Sequence, residues 1–230
     1  MILEVTAATL HDAKVAQEHG ADRISLVTGI GEGGLTPSYG LMKKVKETIH
    51  IPIFVMIRPH NQSFQYDEDD LQTMIEDIHY AREIGIDGIE IGCLTEDKII
   101  DEQALKRLLD AAGEMNVTFH LAFDEISDQE KALETLLSYK QIQRVMTSGA
   151  DKSALNGIPH IKKLLRRMKD KDIILIGTKG LKPENLQAFL SVTPVKEIRI
   201  GSGVRVNCQY TKPLDPRSVK AAKETMNKQK

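Results

Sequence analysis

The feature that most constrains this chain is a regular alternation of two kinds of segment. Eight short β-branched runs fall at residues 3–5, 24–27, 53–57, 89–91, 117–121, 145–147, 173–176 and 198–200. A longer stretch with helical periodicity follows each of them. Strands that alternate with helices must run parallel, because each helix carries the chain back across the sheet face. Eight such units close most simply into a single α/β domain, a TIM-type (β/α)8 barrel. A doubly wound open sheet is the rival, but the glycine fingerprint expected after its first strand is absent.

The 230 residues suit one barrel, expected to span 1–230 with a core over about 2–222 and a polar, fraying tail from Lys223. Apolar residues make up 41% and a formal net charge of −2 leaves no basic footprint for nucleic acid. No apolar run approaches the roughly 20 residues of a membrane span, and the N-terminus lacks a secretory pattern. With only Cys93 and Cys208, and no CxxC, the chain fits a reducing, cytoplasmic compartment.

Capping chemistry marks several helix boundaries. Thr9, Thr36 before Pro37, Ser127 with Glu130, and Asp215 before Pro216 are expected to open helices. Gly20, Gly85 and Gly113 are expected to stop them in the left-handed conformation.

Side chains alternate between the two faces of a strand. With the aliphatic residues turned toward the helices, Glu4, Arg23, Ser25, Arg58, Glu90, His120 and Arg199 point into the barrel. Interior charges cost several kcal/mol unless paired, so such a set means an ion-pair network or a ligand site. Arg23, after a tight turn, suits the network reading. Arg58 and His120, at strand C-terminal ends, suit a site, because barrel sites lie on that face. The expected catalytic set is Glu4, Arg58, His120 and Asp124, with His120 as a general base oriented by Asp124. A packed histidine beside a helix-entry aspartate accounts for the same pair equally well. Glycine-containing turns after the seventh and eighth strands, with Lys179, Arg199 and Ser202, form an expected anion site. Plain tight turns also require those glycines. The run Gly29-Ile30-Gly31-Glu32-Gly33-Gly34 implies a backbone that approaches something closely. The loop carrying Phe64 and Tyr66 is expected to serve as a lid or an oligomer contact.

Several motifs together resemble the CutC family. They are Ala21-Asp22-Arg23-Ile24, Gly33-Gly34-Leu35-Thr36-Pro37-Ser38, Val55-Met56-Ile57-Arg58-Pro59, Thr118-Phe119-His120 with Ala122-Phe123-Asp124, and Thr147-Ser148-Gly149. The resemblance implies a TIM barrel, a cytoplasmic homo-oligomer (dimer or tetramer) and, from the family's name, a role in copper homeostasis. Cu(I) is then the implied ion, with Cys93 and Cys208 as candidate ligands. The chain keeps Glu4, Arg58, His120, Asp124, Thr147 and Ser148 of the family pattern. It departs at Ser25, Val27, Leu121, Thr178, Lys179 and Arg199, and at Val27 it lacks a cysteine that would favour copper. Three readings follow: a copper-handling protein, an enzyme using acid/base chemistry on a small anionic or phosphorylated molecule, and a degenerate barrel acting as a binding or scaffold protein.

Overall fold

The computed structural model describes residues 1–228. Eight strands form one closed parallel barrel in sequence order: β1 (Ile2–Ala7), β2 (Arg23–Leu26), β3 (Ile53–Met56), β4 (Gly88–Ile91), β5 (Asn116–Phe119), β6 (Ile142–Thr147), β7 (Ile174–Gly177) and β8 (Glu197–Ile200). Each is followed by a helix: α1 (Leu10–Glu18), α2 (Tyr39–Thr48), α3 (Glu68–Glu83), α4 (Glu102–Ala112), α5 (Gln129–Leu137), α6 (Ile158–Arg167), α7 (Pro183–Leu190) and α8 (Pro216–Asn227). β1 closes the barrel against β8, with Glu4 opposite Arg199, and pairs with β2, with Glu4 opposite Arg23.

The strand alternation holds. Leu3, Val5, Ile24, Leu26, Ile89, Ile91, Ile198 and Ile200 are buried in the layer between barrel and helices. Helices present matching apolar stripes, such as Leu105, Leu108 and Leu109 of α4 and Ile161 and Leu164 of α6. Burying each such side chain contributes about 1.5–3 kcal/mol.

Several boundaries differ from the sequence expectation. β5 ends at Phe119, and His120 caps a 3-10 turn over Leu121–Glu125. The imidazole Nδ1 accepts the Ala122 N–H, which competes with strand pairing at that point. α2 opens with Ser38 rather than Thr36 as its cap, and Pro37 precedes the helix. The Thr36 hydroxyl instead accepts the backbone N–H of Arg58 at 2.9 Å. At α5 the cap is Asp128, one residue beyond Ser127. Thr9 and Asp215 cap α1 and α8 as expected. Gly20, Gly85 and Gly113 have φ of +100°, +75° and +60°.

The segment from Lys223 is helical to Asn227, against the expectation that it frays. Met226 is buried, and Lys223 Nζ pairs with Asp22 at 2.6 Å, which ties α8 to the turn before β2. Gln229 and Lys230, the end of the expected tail, lie outside the described residues.

Candidate functional site

At the C-terminal mouth of the barrel lies a cavity of about 120 Å³. Its wall includes Arg58, His120, Arg199, Thr6, Thr178, Lys179, Ser202 and Tyr210, set among Val27, Met56, Phe64 and Met146. Inward-facing residues of alternate strands fill a barrel in layers, so the floor of this cavity is the upper layer of the packed interior.

That interior is polar in two tiers. In the lower tier, Arg23 bridges Glu4 and Glu197, and Arg144 Nε reaches Glu197 at 3.2 Å. In the upper tier, Arg199 donates to Glu90 at 2.8 Å, to Thr6 at 3.1 Å and to Ser25. Burial pushes the Glu90 carboxyl above its ordinary value; Arg199 opposes the shift and Glu4 adds to it. The seven inward residues read from alternation are all buried. For Arg23, the ion-pair reading describes what the structure places there.

Arg58 differs from the other interior arginines. It is 7% exposed, yet among the described residues it has no carboxylate partner. Its Nη1 donates to the carbonyls of Glu32 at 3.1 Å and Gly34 at 3.4 Å, and the guanidinium lies 4.4 Å over the Phe64 ring. Nε has no partner, and Arg58 forms part of the cavity wall. The glycine run near residue 30 thus approaches a guanidinium. A Cβ on Gly33 would lie 3.0 Å from Arg58 Nη1, and Gly33 has φ of +89°. Among the described residues, the four barrel arginines Arg23, Arg58, Arg144 and Arg199 meet three carboxylates, Glu4, Glu90 and Glu197, which leaves a surplus positive charge, with Arg58 at the mouth unpaired.

His120 is held on its other side. Its Nδ1 accepts the Ala122 N–H at 3.1 Å, so the single proton of the neutral ring sits on Nε2. Among the described residues, Nε2 has no partner. Burial, then the positive charges of Arg58 and Arg199, bring its pKa down to about 3. Leaving such a donor buried and unpaired costs about 1–3 kcal/mol. A Cβ on Gly92 would lie 2.6 Å from Nδ1, so the glycine after β4 leaves room for the ring.

A pH dependence follows from this histidine. In the unfolded chain it takes up a proton near pH 6.5, whereas in the fold it stays neutral down to about 3. The unfolded state binds more protons in that window, so stability falls as pH falls from 6.5 toward 3. The expected slope from this group is about 1.4 kcal/mol per pH unit. Urea midpoints of wild type and His120→Gln between pH 7 and 4 should diverge by that slope, with the wild type losing more. Parallel curves would show that His120 does not titrate in this way.

The turns after β7 and β8 form the opposite wall. Among the described residues, the backbone N–H groups of Gly180, Ser202 and Gly203 have no acceptor in the protein. The two turns touch backbone to backbone, since a Cβ on Gly203 would collide with the Leu181 carbonyl. Lys179, at φ of +74°, lines the cavity and donates from Nζ to the Asp151 carbonyl at 3.1 Å. Lys179, Arg199 and Ser202 therefore line the same cavity as Arg58 and His120.

Two expected participants lie elsewhere. Glu4 is fully buried below the cavity and bound to Arg23. Asp124 does not meet His120. Its Oδ2 accepts the Ser148 N–H and hydroxyl at 2.8 and 2.6 Å, while Oδ1 takes the Thr147 hydroxyl, the Ala150 N–H and the Gln129 amide. The expected histidine–aspartate pair is thus absent, and the cavity wall carries no carboxylate. Sequence reading missed the places of Phe64 and Tyr66. Phe64 packs against Arg58 and His120, its ring 5.1 Å from the imidazole, and Tyr66 buries its hydroxyl with its ring 5.4 Å from that of His60. Their alternation with polar residues was the available signal. Glu197 and Arg144 were also missed, although Glu197 lies two residues before Arg199 on the same face.

The family model described as CutC family matches residues 1–204. The chain belongs to the CutC family. It is 42% identical over 189 residues to "Copper homeostasis protein cutC homolog" of Homo sapiens, covering 82% of this chain and 68% of that one. The crystal structure titled as the putative copper homeostasis protein CutC from Streptococcus agalactiae superposes with a TM-score of 0.82 at 32% identity, covering 87% of this chain and 98% of that one. N-(5'-phosphoribosyl)anthranilate isomerase from Pyrococcus furiosus matches at 17% identity with a TM-score of 0.63 over 99% of both chains, a likeness of fold.

The copper in the family's name can be tested against the donors present. Cu(I) wants converging thiolate or thioether sulfur. Cys93 is buried, its thiol directed at the Asp101 carbonyl, and burial followed by the Asp101 charge pushes that thiol well above its ordinary pKa. Cys208 is exposed on the loop after β8. Among the described residues no three His, Cys, Asp or Glu side chains cluster as a metal site. The donor set of the single chain does not fit a Cu(I) centre, and Met146 already accepts a hydrogen bond from Arg199 at 3.0 Å. No helix of the described residues is long and apolar enough to cross a membrane.

Proposed function

We propose that this CutC-family chain takes part in copper homeostasis, as its relatives' names indicate, by binding a small anionic molecule in the strand-end cavity. The observation that carries this reading is Arg58, a buried guanidinium with no carboxylate partner on the cavity wall. A buried charge is stable only when compensated, and the surrounding carbonyls supply dipoles rather than a counter-charge. Lys179 and the free N–H groups of the β7 and β8 turns support a second contact to the same ligand, where barrels commonly hold phosphate. Glu4 and Asp124 do not line this cavity, although Asp124 borders the adjoining pocket with Phe64, Leu121 and Lys179, so the anion-binding reading is better supported than the acid/base one. The two free thiols favour a reducing, cytoplasmic setting.

The test is calorimetric titration of inorganic phosphate and of small phosphate esters into wild type and Arg58→Gln. Charge-assisted hydrogen bonds contribute about 1.5–3 kcal/mol, so the variant should bind at least about tenfold more weakly. Its urea midpoint should stay level or rise, because an unpaired charge has been removed. Equal affinity in both proteins would remove Arg58 from the site.

A further inference from the structure

Beside Arg58, the cavity holds a second unpartnered group, Nε2 of His120. We infer that His120 is an uncharged hydrogen-bond donor that reads a carbonyl oxygen on the ligand, so that the ligand class is a carbonyl-bearing anion. This rests on the anion-pocket reading and narrows it.

Three observations carry the step. First, Nδ1 is occupied by the Ala122 N–H, which fixes the proton on Nε2 and leaves the ring able only to donate there. Second, the ring is closely surrounded. A Cβ on Gly92 would lie 2.6 Å from Nδ1, the Phe64 ring lies at 5.1 Å and the Phe119 ring at 6.3 Å. Third, the charged groups acting on the ring are Arg58 and Arg199, both cationic, with no carboxylate to hold an imidazolium. A proton on Nδ1 would lose the Ala122 bond and place a third positive charge beside two others.

A neutral N–H donor bonds a charged oxygen more strongly than a carbonyl, but here it stands beside a guanidinium that competes for the same charge. The neighbouring guanidinium takes the full negative charge, which leaves the imidazole for a carbonyl close to the anionic group. A neutral imidazole donor of this kind polarises a carbonyl without giving up a proton. Hydrogen-bonding sites also reject analogues that lack the matching atom, because the buried donor is then left unpaired. The inferred specificity is therefore for a keto anion over its deoxy counterpart.

Two measurements on the full chain test this. The first is ligand-free: ¹⁵N NMR of the histidine side chains should show His120 with its proton on Nε2 and no titration between pH 8 and 5. An imidazolium, or an Nδ1–H tautomer, at pH 7 would overturn the inference whatever binds. The second is a titration with pyruvate and with propionate, which differ in the keto oxygen, beside inorganic phosphate as an anion control. Wild type should favour pyruvate by about tenfold, the worth of one neutral hydrogen bond. That preference should be lost in His120→Phe and largely kept in His120→Gln, which retains an N–H donor. Equal binding of the two acids with phosphate still bound would overturn the carbonyl inference and leave the anion pocket standing. No binding of any of the three, in wild type as in Arg58→Gln, would overturn both.

Discussion

Glu197→Ala is expected to destabilise the barrel by about 3–5 kcal/mol, the cost of leaving a buried charge without its partner. Glu197 is 4% exposed and accepts hydrogen bonds from both Arg23 and Arg144. Its removal leaves Arg144 with no carboxylate and Arg23 with Glu4 alone. Urea unfolding followed by circular dichroism reads the loss directly. The paired change Arg144→Met with Glu197→Leu should recover much of it, because removing both charges also removes their desolvation cost. A loss below about 1 kcal/mol, in the range of a surface pair, would mean that water reaches this tier of the barrel.

Asp124→Ala is expected to cost about 3 kcal/mol, since hydrogen bonds to a charged acceptor contribute about 1.5–3 kcal/mol each and do not add fully. The carboxylate collects five donors, among them the backbone N–H groups of Ser148 and Ala150. Those groups fix the turn after β6, where Gly149 has φ of +77° and lies against Gly157 backbone to backbone. The variant should also become sensitive to limited proteolysis between residues 148 and 157. Asp124→Asn should retain part of the stability, because its amide oxygen can still accept from the backbone. Wild-type stability together with lost phosphate binding would instead assign Asp124 to the site rather than to the turn that supports it.

The polar interior was legible before the structure because strand alternation is a local rule. Ile24 and Leu26 face the helices, so Arg23 and Ser25 face inward whatever lies across the barrel. The glycine run near residue 30 likewise signalled a close approach, though not that Arg58 was approached. What a side chain bonds to was less legible. His120 and Asp124 stand four residues apart and suggested a catalytic pair. The 3-10 turn beginning at Leu121 instead sends Asp124 to Thr147 and Ser148 on β6 and its following turn, 23 and 24 residues away. The loop carrying Phe64 and Tyr66 read as a lid or an oligomer contact, and nothing local shows that it folds back over Arg58 in particular.

The sequence by itself determined the eight parallel units, the inward charges other than Arg144 and Glu197, and the family, since each rests on periodicity or on motifs within one βα unit. Tertiary structure alone decided which charges neutralise each other. Glu197 is 174 residues from Arg23, and Glu90 is 109 from Arg199, so barrel closure makes those pairs. The same closure leaves Arg58 and His120 unpaired at the mouth, because a partner's absence is a property of the whole wall and of no single segment.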